Sequence, residues 1–255
     1  MDNSAYAVVT GGSDGIGLEL CHQFAEHGFN ICIISRNKVK VDEKLAEIKE
    51  KYPECETVGV QCDFSKLTSI QEYRDLVANN LASLDIGILC LNAGLAKMGC
   101  IGQIDDDRLE GMWTVNVLQP IYLLQAMAGK LLARDQRCGV LFTSSIAAHT
   151  VNPTFASYAA TKHAISCFGE AMHFELKKNV DVTVWEPGFV ETNIHLDKPP
   201  GCVTLTAKKS VEDILKKFGV RKTYGSLTFA MMPSGSADMG GLMMKAVEPK
   251  QEFFK

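Results

Sequence analysis

Tyr158-Ala159-Ala160-Thr161-Lys162 sets a phenol and an ammonium four residues apart, on one face of the helix that the surrounding pattern predicts. A phenol with an ordinary pKa near 10 moves protons poorly at neutral pH unless its anion is stabilised. A neighbouring ammonium provides that stabilisation and turns the pair into a candidate acid–base couple. Thirteen residues before the tyrosine, Ser145 follows the apolar run Val140 to Thr143, where its hydroxyl can hydrogen-bond a substrate carbonyl. Taken singly, a Tyr and a Lys four apart are usually a surface pair, and a serine after a strand is usually a turn residue. Their weight depends on what lies upstream.

What lies upstream is Thr10-Gly11-Gly12-Ser13-Asp14-Gly15-Ile16-Gly17, between a first apolar strand and a first amphipathic stretch. Glycines there allow a tight turn and let the backbone approach a pyrophosphate seated on a helix N-terminus. Gly11 to Gly15 also fits the GxSxG elbow of hydrolases, but that elbow needs earlier strands, and only ten residues precede Gly11. The dinucleotide reading therefore leads. After the second strand the chain reads Ser35-Arg36-Asn37, with no acidic residue to bind a ribose 2′-hydroxyl. Ser35 does not repel a 2′-phosphate and Arg36 can pair with it, so the expected cofactor is NADP(H). Asp63, after the third strand, either accepts from the adenine amino group or caps the next segment.

These residues need elements to position them. Strand candidates are Ala5 to Val9, Asn30 to Ile34, Thr57 to Gln61, Ile86 to Leu91, Val140 to Thr143 and Val182 to Trp185. Helical patterns fall between them over Ile16 to His27, Lys38 to Lys51, Asp107 to Arg134 and Ala156 to Lys178. Strand–helix alternation of this kind predicts one α/β domain, a doubly wound Rossmann-type parallel sheet of about seven strands with helices on both faces. The 255 residues carry 26 basic against 30 acidic side chains, a net charge of −4, and 46% are hydrophobic. That balance gives no general attraction to nucleic acid, and no apolar run reaches the ~20 residues of a transmembrane helix. Nine cysteines without a CxxC pair argue against a disulfide framework or zinc ribbon, and no ligand cluster suggests a metal. Cys32, Cys90 and Cys167 read as small core residues.

With these residues in place, the chain resembles the short-chain dehydrogenase/reductase family from its first strand to about Tyr224-Gly225. The glycine motif is similar at Gly11, Gly15 and Gly17. The NNAG stretch is similar at Asn92, Ala93 and Gly94, with Leu91 in place of its first Asn. The resemblance implies a tetrad of Asn116, Ser145, Tyr158 and Lys162, and cofactor contacts from Pro187, Gly188, Val190 and Thr192. In that scheme Tyr158 gives the proton, Ser145 steadies the developing alkoxide, Lys162 lowers the phenol pKa and Asn116 anchors a relaying water. The long helices around Asn116 and Tyr158 would build a homodimer or homotetramer. Gly12 to Gly17, Ile33 to Arg36, Glu47 to Lys51, Asp85 to Leu89, Tyr158 to Lys162 and Arg221 to Gly225 are most similar to the 17β-hydroxysteroid dehydrogenase and very-long-chain 3-oxoacyl-CoA reductase group. Members of that group carry a membrane-anchoring segment before the first strand. This sequence shows none, so a cytoplasmic protein is expected, with peripheral association at the endoplasmic reticulum.

The implied substrate is a small hydrophobic carbonyl compound, a steroid 17-ketone or a 3-oxoacyl-CoA. A 3-ketosphinganine-type reductase and a non-catalytic dinucleotide sensor are the alternatives. Residues 193–218 are expected to cover the substrate, with Pro199-Pro200-Gly201 in the segment and Val211, Ile214, Leu215 and Phe218 on a short helix. Five methionines between Met231 and Met244 are expected to fill core gaps, or else to form an adaptable wall for a long apolar substrate or a patch that docks on membrane. His149, near Ser145, and His195, in the covering segment, are each placed to touch substrate, although a lone histidine in a loop is more often simply solvated.

Overall fold

The computed structural model describes residues 5–151, 153–176, 178–192, 204–219 and 222–224. Its strands are β1 (Tyr6–Thr10), β2 (Asn30–Ser35), β3 (Thr57–Gln61), β4 (Ile86–Leu91), β5 (Cys138–Thr143), β6 (Val180–Glu186), the short β7 (Val190–Glu191) and β8 (Leu205–Thr206), and β9 (Lys222–Tyr224). Its helices are α1 (Gly15–Glu26), α2 (Lys38–Lys51), α3 (Ile70–Asn80), α4 (Asp106–Trp113), α5 (Gln119–Leu132), α6 (Ala156–Leu176) and α7 (Ala207–Leu215). Seven strands form one parallel sheet, as the alternation of elements predicted, in the order β3-β2-β1-β4-β5-β6-β9. Between β1 and β4 the order reverses, and a crevice opens there beyond the carboxyl ends of the strands.

Alternate residues of each strand bury on opposite faces, so one sheet carries two cores. Val8, Ile34, Leu89, Phe142 and Val184 pack with Tyr73, Leu123 and Ile165 of α3, α5 and α6. Val9, Ile33, Cys90 and Trp185 pack with Leu20, Val41 and Val211 of α1, α2 and α7. Gly28, at φ +87°, closes α1 in the left-handed conformation that its C-terminal position demands.

Three expectations change. The helix expected from Asp107 to Arg134 is two helices joined by a π turn over Thr114–Leu118. Pro120, in the first turn of α5, has no N–H to give the Asn116 carbonyl, and the Gln119 amide bonds back to Thr114 O instead. Several strand ends move: β1 starts at Tyr6 rather than Ala5, and β6 extends on both sides of Val182 to Trp185. Cys167 is exposed on α6, not in the core, whereas Cys32 and Cys90 are buried. An apolar neighbourhood in sequence does not tell which side of a helix a single position takes.

Candidate active site

At the first turn of the crevice, Thr10 holds two strand ends together. Its hydroxyl donates to Cys90 O at 3.2 Å and accepts from the Asn92 and Ala93 amides at 2.9 and 3.0 Å, while Asn92 Nδ2 donates to Thr10 O at 3.1 Å. Asn92 thus fastens the loop after β4 onto the glycine loop. Gly11 sits at φ +68°, and a Cβ on Gly17 would stand 2.3 Å from Gly11 O. No side chain fits at Gly17. Gly17→Ala is expected to displace the loop and remove dinucleotide binding, checked by titrating NADPH fluorescence against the variant.

The far end of the loop is polar. Asp14 caps α1, accepting from the Gly15 amide at 2.8 Å, and its second oxygen meets Lys40 Nζ at 2.5 Å. Ser13 Oγ and Ser35 Oγ lie 2.8 Å apart, and Arg36 stands exposed beside them, its guanidinium making no ion pair among the described residues. Lys40 was not legible as a site residue. Its one signal is its place on the first turn of α2, one helical turn beyond Arg36. Asp63 borders the same cleft and accepts from Ser65 N and Ser65 Oγ at 3.1 and 2.8 Å, so it caps the short turn that follows β3.

One cleft of about 800 Å³ gathers nearly every residue singled out above: Gly11, Ser13, Gly15, Ile16, Gly17, Ser35, Arg36, Asp63, Asn92, Ala93, Gly94, Ser145, Tyr158, Lys162, Pro187, Gly188, Val190 and Thr192. Thr192 reaches the glycine loop, its side chain 3.1 Å from where a Cβ on Gly15 would be. Asn116 lies just behind the wall. Its side chain accepts from Leu95 N and donates to Leu95 O, both at 2.8 Å, and donates to Thr161 Oγ1 at 3.0 Å. A Cβ on Gly94 would be 3.5 Å from both Asn116 Oδ1 and Lys162 Nζ, so the two side chains converge over that glycine.

Lys162 is 5% exposed; its Nζ donates to Thr143 O at 2.8 Å and lies 5.7 Å from the centre of the Tyr158 ring. Burial lowers the Lys162 pKa to about 8. Burial also pushes the Tyr158 phenol up to about 12, and the neighbouring Ser145 hydroxyl works in the opposite direction. Ser145 Oγ accepts from the Ala147 amide at 3.2 Å, which ties the side chain to the turn that follows it.

A lysine whose folded pKa lies below its ordinary 10.5 costs stability wherever it must be charged. The cost is complete below about pH 8 and vanishes as pH rises toward 10.5. Lys162→Met is therefore expected to raise stability at pH 7 by about 1–3 kcal/mol, a gain that shrinks above pH 8. Thermal unfolding at neutral and alkaline pH checks this.

The opposite wall is apolar: Ala96, Met98, Phe189 and Tyr158 pack against Ala147 and Phe155. Phe155 stacks on the Tyr158 ring at 4.4 Å between centroids and 22° between planes. Thr154, the residue before, sits at φ +65°, a conformation unfavourable for a β-branched side chain, and its carbonyl accepts from the Gly99 amide at 2.7 Å. Phe155 and Met98 carried no sequence signal. His149 is not simply solvated: its Nε2 lies 2.7 Å from Glu186 Oε1. Within the segment expected to cover the substrate, Val211 and Ile214 of α7 bury against the α1 side of the sheet. His195, Pro199-Pro200-Gly201, Gly225 and the Met231 to Met244 run lie outside the described residues. No cluster of metal-binding side chains is found among the described residues.

The short chain dehydrogenase family model matches residues 5–201. The human very-long-chain 3-oxoacyl-CoA reductase is 31% identical over 235 residues, 90% of this chain and 73% of that protein. Among solved structures, a 7β-hydroxysteroid dehydrogenase superimposes with a TM-score of 0.81 at 24% identity, covering 94% of this chain and 96% of that one. A short-chain dehydrogenase from Sphingobium yanoikuyae in complex with NADPH gives 0.76 at 20% identity, covering 97% and 98%. The fold, the cleft and these likenesses agree: the chain belongs to the short-chain dehydrogenase/reductase family of oxidoreductases, in the group of the very-long-chain 3-oxoacyl-CoA reductases.

Proposed function

We propose that the protein is an NADPH-dependent reductase of a ketone on a hydrophobic substrate, a 3-oxoacyl-CoA or a steroid 17-ketone. One observation carries the reading: Ser145 and Lys162 converge on Tyr158 at the apolar end of a cleft whose polar end holds Ser13, Ser35, Arg36 and Lys40. A dinucleotide phosphate fits these residues. The glycine loop and the α1 N-terminus suit its pyrophosphate, Arg36 and Lys40 its 2′-phosphate, and Val190 and Thr192 its carboxamide. When bound, NADPH supplies the hydride.

The chain's own residues do the rest. Ser145 donates to the substrate oxygen as negative charge develops there, and Tyr158 delivers the proton that completes the alcohol. Lys162, protonated below about pH 8, offsets the charge left on the phenolate. Asn116, held by Leu95, keeps that backbone segment in place beside the ammonium and can retain a water for proton resupply. Phe155, Met98 and Phe189 exclude bulk water and suit an apolar substrate body.

NADPH oxidation by purified protein, offered a 3-oxoacyl-CoA, a 17-ketosteroid and 3-ketosphinganine in parallel, tests the reading. Turnover of one of the first two supports it. Silence on all three, with tight NADPH binding, overturns it in favour of a dinucleotide sensor. Trp113 on α4 and Phe174 on α6 are exposed aromatics on the helices proposed for homodimer or homotetramer contact, and sedimentation velocity reads the state directly. No helix among the described residues is long and apolar enough to cross a membrane. A cytoplasmic location with peripheral attachment to the endoplasmic reticulum remains part of the proposal, readable by fractionation.

A further inference from the structure

Glu186 ends β6 with 0% exposure, directly before Pro187-Gly188 of the cleft wall, and takes no part in the chemistry just described. Its Oε1 receives two elements at once. His149 Nε2 lies 2.7 Å away, at the end of the tight turn that begins after Ser145. Ser166 Oγ, one turn beyond Lys162 on α6, donates to the same oxygen at 2.5 Å. Ser166 Oγ also stands 2.8 Å from Ser144 Oγ, which lies 2.8 Å from the Lys162 carbonyl; with the Ser166 proton on Glu186, the single Ser144 proton serves either Ser166 Oγ or that carbonyl. His163, edge-on to His149, reaches Ala148 O at 2.9 Å through Nδ1.

The consequence is geometric. Ser145 is flanked by Ser144 and His149, and both are linked to one buried carboxylate that also grips the turn of α6 following Lys162. Ser145 comes from the loop after β5, whereas Tyr158 and Lys162 come from α6, so their mutual distance is not set by any single element. We propose that Glu186 is a positioning residue: it holds the Ser145 turn in register with α6, so that the Ser145 hydroxyl meets the Tyr158 phenol. This deepens, and rests on, the reductase reading above. A hydrogen-bonded chain that spans two elements is worth more for alignment than for stability, because a buried carboxylate is costly to desolvate.

The test compares Glu186→Gln with Glu186→Leu in the full chain. Gln keeps an acceptor oxygen for both partners, and turnover should stay within about 3-fold of the wild type. Leu fills similar space without an acceptor, and kcat should fall about 30–100-fold while NADPH affinity holds within about 2-fold. His149→Phe and Ser166→Ala each cut one link and should each lower kcat about 3–10-fold, which decides the matter if the Leu variant does not fold. Wild-type kcat in folded Glu186→Leu, or in both single-link variants, overturns the proposal. So does a Gln variant as impaired as the Leu variant, or a kcat loss matched by lost NADPH binding. Should the wild type reduce no ketone, the reductase reading fails by itself. A crystal structure of Glu186→Leu then judges the positioning: the Ser145 hydroxyl should have left Tyr158, and an unchanged contact refutes it.

Discussion

Tyr158→Phe should bind NADPH as tightly as the wild type and turn over about 10³-fold more slowly, a loss of about 4 kcal/mol in transition-state stabilisation. The substitution removes one oxygen and leaves the ring, so the stack on Phe155 and the approach of Lys162 to the ring both persist. What disappears is the proton donor beside Ser145. The pH dependence gives the sign. In the unliganded chain the phenol titrates at about 12, so the protonated form needed for ketone reduction dominates at neutral pH. Reduction should therefore be flat near neutrality and fall at high pH, whereas oxidation of the alcohol, which needs the phenolate, should rise with pH. Steady-state rates in both directions, with NADPH binding measured separately, check the result. Substantial residual turnover would remove Tyr158 from the central role.

Arg36→Asp should weaken NADPH binding about 100-fold and leave NADH binding nearly unchanged. Three features of the polar end support so large an effect. Arg36 is exposed and makes no ion pair among the described residues, so its planar fork is available to a phosphate. Lys40, the second cation, is already shared with Asp14 at 2.5 Å and can answer only part of the added charge. Finally, Asp at this position would set a carboxylate beside the 2′-phosphate, adding repulsion to the lost contact, while remaining able to bind a 2′-hydroxyl. Lys40→Met should cost less, about 10-fold, because its charge is partly neutralised beforehand. Isothermal titration with both cofactors at two salt concentrations measures the difference. Equal losses for NADPH and NADH would assign Arg36 to the fold rather than to cofactor choice.

Much of this cleft was legible before any contact was known, and the reason is local. Apolar β-branched runs separated by amphipathic stretches bury well as a parallel sheet with helices on both faces, and the seven-stranded parallel sheet agrees; its strand order came only from the structure. Gly11 and Gly17 announce a turn because glycine adopts a φ of +68° without strain at one and leaves room for a carbonyl in the place of Cβ at the other. Tyr158 and Lys162 share a helix face by spacing alone. The break at Asn116 was also written in the chain, in Pro120, but a hydrophobic pattern that runs smoothly through the π turn concealed it.

Sequence by itself therefore determined the class of fold, a glycine loop suited to a dinucleotide and residue types suited to moving a proton. Each of these is fixed by backbone geometry over a few neighbouring residues. Only the tertiary structure decided that Lys40 meets Asp14 across 26 positions, that Phe155 lies flat on Tyr158 against the wall built by Met98 and Phe189, and that Glu186 ties His149 to Ser166. Apart from Phe155 and Tyr158, three residues apart at the start of α6, those contacts join elements whose separation along the chain carries no information about distance. They arise because strand order brings the carboxyl ends of β1, β4, β5 and β6 to one crevice, where side chains from separate loops must share a small buried volume.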